Sequence, residues 1–212
     1  MKYTVSPIDK DKAKVIITQN HYSKKWTSCR YALGLFDRKE LIGVAVYGFP
    51  VGRQVVKSIS AALSNDDVLE LTRLWVMDGT EKNTESFFIG QTFKWLRNNS
   101  KVKVLISYSD PMYNHIGIIY QATNWLYQGN NTMLVKGYLH EINGEVMHPR
   151  KVVSLYGTIR ESVLRNVDPS YRRIEMLKKH RYLYILRGRR NLLNTLKHPI
   201  LPYPKNNDNV HW

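Results

Sequence analysis

The sequence predicts an α/β fold. Three observations carry that prediction. Apolar runs with strand-like alternation recur along the chain, segments with apolar residues at helical spacing alternate with them, and short polar breaks holding Asp, Asn, Gly or Pro separate the two. A chain of 212 residues with 43% hydrophobic and 23% charged residues can bury a sizeable core, which excludes a disordered chain.

Lys2–Ser6 predicts a short strand stopped by Pro7, and Asp9 is placed to cap a helix running to about Asn20. Tyr31–Phe36 and Glu40–Gly48 flank Asp37-Arg38-Lys39, a hairpin pattern. Val68–Met77 mixes Leu, Thr, Trp and Val and predicts a long strand, followed by a polar loop at Asp78–Asn83. Thr84-Glu85-Ser86 then opens a helix in which Phe87, Ile89, Phe93 and Leu96 share a face; it ends near Asn98-Asn99. Val102–Tyr108 is a second buried strand, broken by Asp110-Pro111. Further on, a short helix is expected over His115–Ala122, strands over Trp125–Tyr127 and Thr132–Leu139, and a turn at Asn143-Gly144. A helix over Val153–Arg165, another from Pro169 to about Lys179 and a last strand over Tyr182–Leu186 complete the series. The expected organisation is one domain over 1–190 and a tail over 191–212, extended because of Pro202, Pro204 and three Asn.

Thirty-two Lys and Arg against 17 Asp and Glu leave a net charge of +15. Residues 150–212 hold 14 basic and 4 acidic residues, so two thirds of the surplus lies in the last third of the chain. Such an excess points to a polyanion, with nucleic acid ahead of a membrane surface. The single cysteine, Cys29, excludes an intrachain disulfide framework and a cysteine-based zinc finger. Charges throughout Met1–Lys14 leave no secretory signal, and Pro111–Val135, the longest stretch without a formal charge, is too polar to span a bilayer. A soluble protein in a reducing compartment, with no membrane partner, is expected.

Four polar clusters interrupt apolar segments. His21-Tyr22-Ser23, followed by Lys24, Lys25 and Trp26, follows the first helix; the His can serve as general base, hydrogen-bond donor or metal ligand, or be an ordinary loop residue. Glu70-Leu71-Thr72-Arg73-Leu74-Trp75 lies in the long strand, where alternation places Glu70, Thr72 and Leu74 on one face and Leu71, Arg73 and Trp75 on the other. A charge there must be paired or face a cleft, so Arg73 is either an ion-pair partner or a clamp for phosphate or carboxylate. Asn83-Thr84-Glu85-Ser86 starts a helix, where Thr84 or Ser86 can cap the first turn and its free amides can hold an anion. Ser107-Tyr108-Ser109-Asp110-Pro111 ends the second buried strand, where ligands of open α/β sheets sit; the alternative for Asp110 is a turn cap. Tyr171, Arg172, Arg173, Lys178, Lys179, Arg181, Tyr182 and Tyr184 crowd basic and aromatic side chains together, which suits nucleic acid or, alternatively, a solvated face beside a core strand.

Together these segments resemble the Mom family of phage DNA-modification proteins. The resembling stretches are Asn20-His21-Tyr22-Ser23, Leu41–Pro50, Leu69–Trp75, Asn83–Phe87, Ile106–Pro111, His115–Tyr127 and Lys179–Leu186, in order over about residues 20 to 190. The resemblance implies a GNAT-like acyltransferase fold: a mixed sheet with helices on both faces, two splayed central parallel strands (Val68–Met77 and Val102–Tyr108) and a basic C-terminal extension. It implies a transferase that converts adenine in double-stranded DNA to a carbamoylmethylated form, protecting phage DNA from host restriction in the cytoplasm of the bacterial host. His21, Tyr22, Arg73, Ser86 and Asp110 are the catalytic positions it carries over, with Arg73, Asn83, Thr84 and Ser86 at the donor. Lys24, Lys25, Trp26, Tyr47, Arg172, Arg173, Lys178, Lys179 and Arg181 are expected at the DNA. Iron(II) held by His21, Tyr22 and Asp110 is one expectation for a cofactor.

One departure bears on the donor. Asp78-Gly79-Thr80-Glu81-Lys82-Asn83 has one glycine and two acids where a GNAT pyrophosphate loop is glycine-rich, which disfavours acetyl-CoA. A glycine-derived donor such as an aminoacyl-tRNA, making tRNA a second partner, fits the added atoms. Two alternatives stay open: an N-acetyltransferase acting on a protein or small amine, and a non-catalytic DNA-binding protein on the same scaffold, either as monomer or homodimer.

Overall fold

A computed structural model describes residues 3–52, 54–130 and 137–205. In chain order the elements are β1 (Tyr3–Pro7), α1 (Lys10–Asn20), β2 (Tyr31–Asp37), β3 (Glu40–Gly48), α2 (Gln54–Ile59), β4 (Val68–Val76), α3 (Thr84–Asn99), β5 (Val104–Ser109), α4 (Ile118–Ala122) and β6 (Leu126–Tyr127). There follow β7 (Tyr138–Ile142), β8 (Glu145–Met147), α5 (Pro149–Tyr156), α6 (Glu161–Val167), β9 (Arg172–Glu175), β10 (His180–Ile185) and α7 (Arg189–Leu193). The chain divides into two compact units: a larger one of 1–109, 116–129 and 180–212, and a smaller one of 110–115 and 130–179.

The larger unit is a mixed α/β layer structure. Its seven-stranded sheet has the order β1-β2-β3-β4-β5-β10-β6. All neighbours are antiparallel except β4 and β5. That parallel pair is registered only over Val68–Glu70 against Val104–Ile106. Beyond Glu70 and Ile106 the two strands part, so the splayed central pair expected from the resemblance is present.

Alternation along the strands builds two apolar layers. One face joins Ala45, Tyr47, Leu69, Leu71 and Leu105 to Phe88, Ile89, Phe93 and Leu96 of α3 and Tyr120 of α4. On the other face, Val68, Val104, Ile106, Leu183 and Ile185 pack on Val56 and Ile59 of α2, and Val44 and Val46 on Ala13 and Ile17 of α1. Helices therefore cover both faces. Asp9 caps α1 as its sequence position predicts, accepting from the amides of Asp11 (2.7 Å) and Lys12 (3.2 Å).

The smaller unit is a three-stranded antiparallel sheet, β8-β7-β9, with α5 and α6. Ile142, Met147, Val152, Leu164 and Tyr171 form its core.

Three expectations are corrected here. The helix over Val153–Arg165 is two helices, because Gly157 takes φ 72° and ends α5. The helix from Pro169 is strand β9, in which Arg172–Glu175 pair with β7; cross-strand pairing outweighs the weak helical pattern. The third lies in β4. Register shifts between Val46 and Tyr47, so that Arg73 faces Val46 and Leu71 faces Tyr47, with Thr72 as the extra residue of a bulge. Its Oγ1 donates to the Val46 carbonyl at 3.0 Å. The bulge resets the alternation: Leu69, Leu71, Leu74 and Val76 all lie with α3, while Trp75 lies with α1. Arg73 thus shares a side with Glu70, not with Leu71.

The tail begins inside α7, and beyond it residues to Pro204 are tied to the larger unit. The Lys197 and Leu201 amides donate to Ile59 and Tyr127 carbonyls, and Tyr203 Oη donates to the Trp125 carbonyl at 2.7 Å. Thr132–Lys136 of an expected strand lies outside the described residues.

Candidate active site

The fork between β4 and β5 is bridged by one side chain. Ser107, 1% exposed, donates from Oγ to the Leu71 carbonyl at 2.9 Å across the gap. The same oxygen lies 2.8 Å from Tyr120 Oη of α4. A buried hydroxyl pair thus replaces the ladder at the point where it stops. Burial pushes Tyr120 up to about 12, with the Ser107 bond pulling the other way.

Arg73 sits beyond the bulge on the α1 side of the fork. Its Nε donates to the Lys25 carbonyl at 3.0 Å and its Nη1 to the Thr72 carbonyl at 2.6 Å. Arg73 therefore ties the loop after α1 to β4. Nη2 makes no hydrogen bond among the described residues. Burial lowers the Arg73 pKa from its ordinary value, while Tyr22 and Glu70 hold the charge on it. Glu70, at the last paired position, also acts on Tyr108 and Tyr120. Tyr108 is pushed up to about 12 by burial, and the Arg181 charge opposes that rise. Glu70 is thus the carboxylate common to Arg73 and two phenols at the fork.

The loop after α1 brings His21 and Tyr22 together: their rings lie 4.2 Å apart. His21 is buried and Tyr22 is 55% exposed. His21 Nδ1 accepts from the Ser23 amide at 3.1 Å and lies 2.9 Å from Ser23 Oγ. An amide can only donate, so the neutral ring carries its proton on Nε2.

At the start of α3 the expected caps are absent. Asn83 occupies the cap position with φ 68° and without a side-chain bond. Thr84 Oγ1 donates back to the Glu81 carbonyl (2.6 Å) and Ser86 Oγ to the Asn83 carbonyl (3.0 Å). Both hydroxyls brace the loop instead of serving the first-turn amides.

Asp110 belongs to the smaller unit, directly after β5. Its Oδ1 accepts from the Met112 amide at 3.1 Å, and its Oδ2 pairs with Lys179 at 2.9 Å. The carboxylate is a turn cap in an ion pair. With both oxygens so engaged and His21 Nδ1 held by Ser23, these side chains do not form a ready set of iron ligands. No group of three or more His, Cys, Asp or Glu among the described residues is arranged to hold a metal ion.

The residues expected at DNA separate by exposure. Lys24 and Lys25 are exposed and Trp26 is half-buried. Arg172 and Arg173 are exposed and pair with Glu141 (2.6 Å) and Glu161 (3.0 Å); Lys178 and Lys179 are half-buried. Two expectations are corrected by burial. Tyr47 is fully buried and bonds Thr92 Oγ1 at 2.6 Å, so it is a core residue. Arg181 is 2% exposed, donating from Nη1 to Ser58 Oγ at 3.0 Å, so it cannot meet a phosphate at the surface.

The fork thus brings Tyr22 and Arg73 together with His21, while Ser86 is occupied within its own turn. Sequence reasoning placed Glu70, Ser107 and Tyr108 in its polar clusters without giving them a role, and passed over Tyr120. Glu70 and Ser107 carried a signal, as polar residues inside two predicted central strands.

Comparison with known proteins adds four findings. A model of the Mom protein family matches residues 2–205. The methylcarbamoylase mom of Escherichia phage Mu is 26% identical over 196 residues, covering 91% of this chain and 80% of that protein. Among solved structures, the chain is similar to the ribosomal-protein-S5-alanine acetyltransferase from Vibrio fischeri, with TM-score 0.48, 12% identity, and 89% of this chain and 95% of that one covered. It is also similar to an N-acetyltransferase from Staphylococcus aureus Mu50, with TM-score 0.44, 10% identity and coverage of 88% and 99%.

Proposed function

The chain belongs to the Mom protein family, and on that premise we propose that it is a transferase that puts a carbamoylmethyl group on the exocyclic amino group of adenine in double-stranded DNA. The observation that carries this reading is the bond of Arg73 Nε to the Lys25 carbonyl at 3.0 Å, which fastens the loop bearing His21 and Tyr22 to β4 where β4 and β5 part. The name of the phage Mu relative, a methylcarbamoylase, supports the transferred group.

The base must leave the stack, because its amino group is shielded within the pair. Tyr22, exposed beside His21, offers a ring to hold it, with Trp26 next in the same loop. Arg73 Nη2 receives the anionic part of the donor, with the first turn of α3 at Asn83, Thr84 and Ser86 contributing main-chain amides only, since the Thr84 and Ser86 hydroxyls and the Thr84 amide are bonded within the loop. As adenine nitrogen bonds the donor carbon, the donor's bond to its leaving group breaks and the amino proton passes to a base. Glu70, at the last paired position before β4 and β5 part, is the carboxylate at the fork for that proton. The carbamoylmethyl group has the atoms of a glycyl unit in another order, so a glycine-derived donor such as an aminoacyl-tRNA supplies all of them in two steps: the glycyl carbonyl passes from the tRNA oxygen to the adenine amino nitrogen, and the glycyl amine then bonds adenine C6 as the original C6–N bond breaks, leaving that nitrogen as the terminal amide. Acetyl-CoA would leave an acetyl amide, and Asp78 and Glu81 before α3 would repel its pyrophosphate. Because its expected ligands do not fit, no step is routed through iron.

Lys24 and Lys25 on the larger unit and Arg172, Arg173, Lys178 and Lys179 on the smaller one supply basic contacts to the duplex. The setting is the cytoplasm of a phage-infected bacterium, where the modification blocks restriction. No helix among the described residues is long and apolar enough to cross a membrane. The test is to incubate the purified protein with DNA and either glycyl-tRNA or acetyl-CoA and to digest the DNA to nucleosides. A heavier deoxyadenosine with the first donor alone supports the reading; an acetylated base, or none, overturns it.

A further inference from the structure

A cavity lies in the larger unit at the end of the central strands away from the fork, where β4 and β5 begin and α3 ends. Its volume is about 440 Å³, and Arg30, Tyr31, Phe49, Asp66, Asn99 and Lys101 supply its chemistry. That size falls within the range of about 300–1,000 Å³ usual for small-ligand sites. The site is braced. The Arg30 amide donates to the Tyr47 carbonyl at 2.6 Å, and its guanidinium lies over the Tyr31 ring at 5.7 Å. Trp95 of α3 meets the same ring edge-on at 5.4 Å. With Tyr31 so enclosed, Phe49, 40% exposed, is the aromatic ring left at the rim.

The charges are arranged for one anionic group. Arg30 and Lys101 outnumber the single carboxylate of Asp66. The carbonyls at the end of α3 would repel an anion. Arg187 covers two of them, donating from Nη2 to Arg97 and, at 2.9 Å, to Ser100. Asp66 and the Asn99 oxygen remain as acceptors for hydroxyl or amino hydrogens; Asn99 Nδ2 is already bonded to the Trp95 carbonyl at 2.9 Å. A flat aromatic surface, two cations for a phosphate and two acceptors within one small volume match the parts of a nucleotide.

We propose that this pocket binds one nucleotide, its base against Phe49 and its phosphate between Arg30 and Lys101. The site is separate from the fork and does not depend on adenine transfer occurring there. A free mononucleotide and one unit of a single strand present the same chemistry.

The test titrates the full chain with adenosine 5′-monophosphate, adenosine and ribose 5-phosphate, followed by ligand-observed NMR. The monophosphate should saturate and bind at least about tenfold more tightly than either fragment. Phe49→Ala and Lys101→Ala, both at exposed side chains, should each weaken it about tenfold with unchanged melting, while Arg73→Ala should leave it unaltered. A short adenine single strand that binds more tightly than the monophosphate identifies a polymer as the source; equal binding identifies the free nucleotide. The proposal is overturned if the monophosphate does not saturate, binds no better than adenosine, or binds both pocket variants as well as the wild type.

Discussion

Replacing Ser107 with alanine tests whether one hydroxyl closes the root of the fork. The β4–β5 ladder ends at Glu70 and Ile106, and Ser107 Oγ then spans to the Leu71 carbonyl at 2.9 Å and to Tyr120 Oη at 2.8 Å. Ser107→Ala removes both bonds and strands the Tyr120 hydroxyl in the interior. A lost buried bond costs about 1 kcal/mol and a stranded buried hydroxyl about 1–3 kcal/mol, so the variant should lose about 2–3 kcal/mol in urea denaturation. Adding Tyr120→Phe removes the stranded group, and the double variant should recover part of that loss. Because the Ser107 bond lowers the Tyr120 pKa, spectroscopic titration of Ser107→Ala should show that phenol ionising at still higher pH. A single variant within about 0.5 kcal/mol of wild type, or a double variant no better than the sum of its parts, would refute the bridge.

Other outcomes follow from burial and charge. Burial holds His140, His180 and His198 below the ordinary histidine value of 6.5, helped by Arg173 at His140 and by Arg181 and Lys197 at His198. The unfolded chain then binds more protons just below that value, so stability should be level above it and fall as the pH drops below it. Melting curves across that range check the sign, and His180→Gln should flatten the slope. Lys24→Ala with Lys25→Ala should weaken duplex binding and reduce its log–log salt slope by about one per residue, measured by anisotropy. Arg181→Met, removing a buried charge whose Nε and Nη2 have no partner, should leave that slope unchanged and be neutral or stabilising. Tyr47→Phe should cost about 1 kcal/mol in denaturation and leave adenine modification intact, because its hydroxyl meets only core Thr92 at 2.6 Å.

Long elements with strong patterns were legible in the sequence. Asp9 marked the start of α1, the β2–β3 hairpin showed in its alternation, and α3 showed in Ile89, Phe93 and Leu96, which are buried on one side as expected; Phe88, which the sequence pattern did not single out, is buried with them, while Phe87 is only half-buried. Short elements whose stability comes from partners were not. Nothing within Arg172–Glu175 announces a strand; pairing with β7 makes it one. Strict alternation misassigned Arg73 because a bulge is a backbone event with no fixed residue signature, and Thr72 is ordinary strand material. The same gap hid Glu70: only after the bulge is counted do Glu70 and Arg73 share a side. Charge counting could not tell Arg181 from Arg173, since exposure depends on which strand face each occupies.

The central claim is that Arg73 at the fork is needed to modify adenine. The most direct measurement is nucleoside mass spectrometry of DNA from bacteria expressing either the wild type or Arg73→Ala, with melting curves showing both folded. A heavier deoxyadenosine from the wild type alone is the predicted result. Unmodified DNA from the wild type, or the same heavier nucleoside from both, would contradict it.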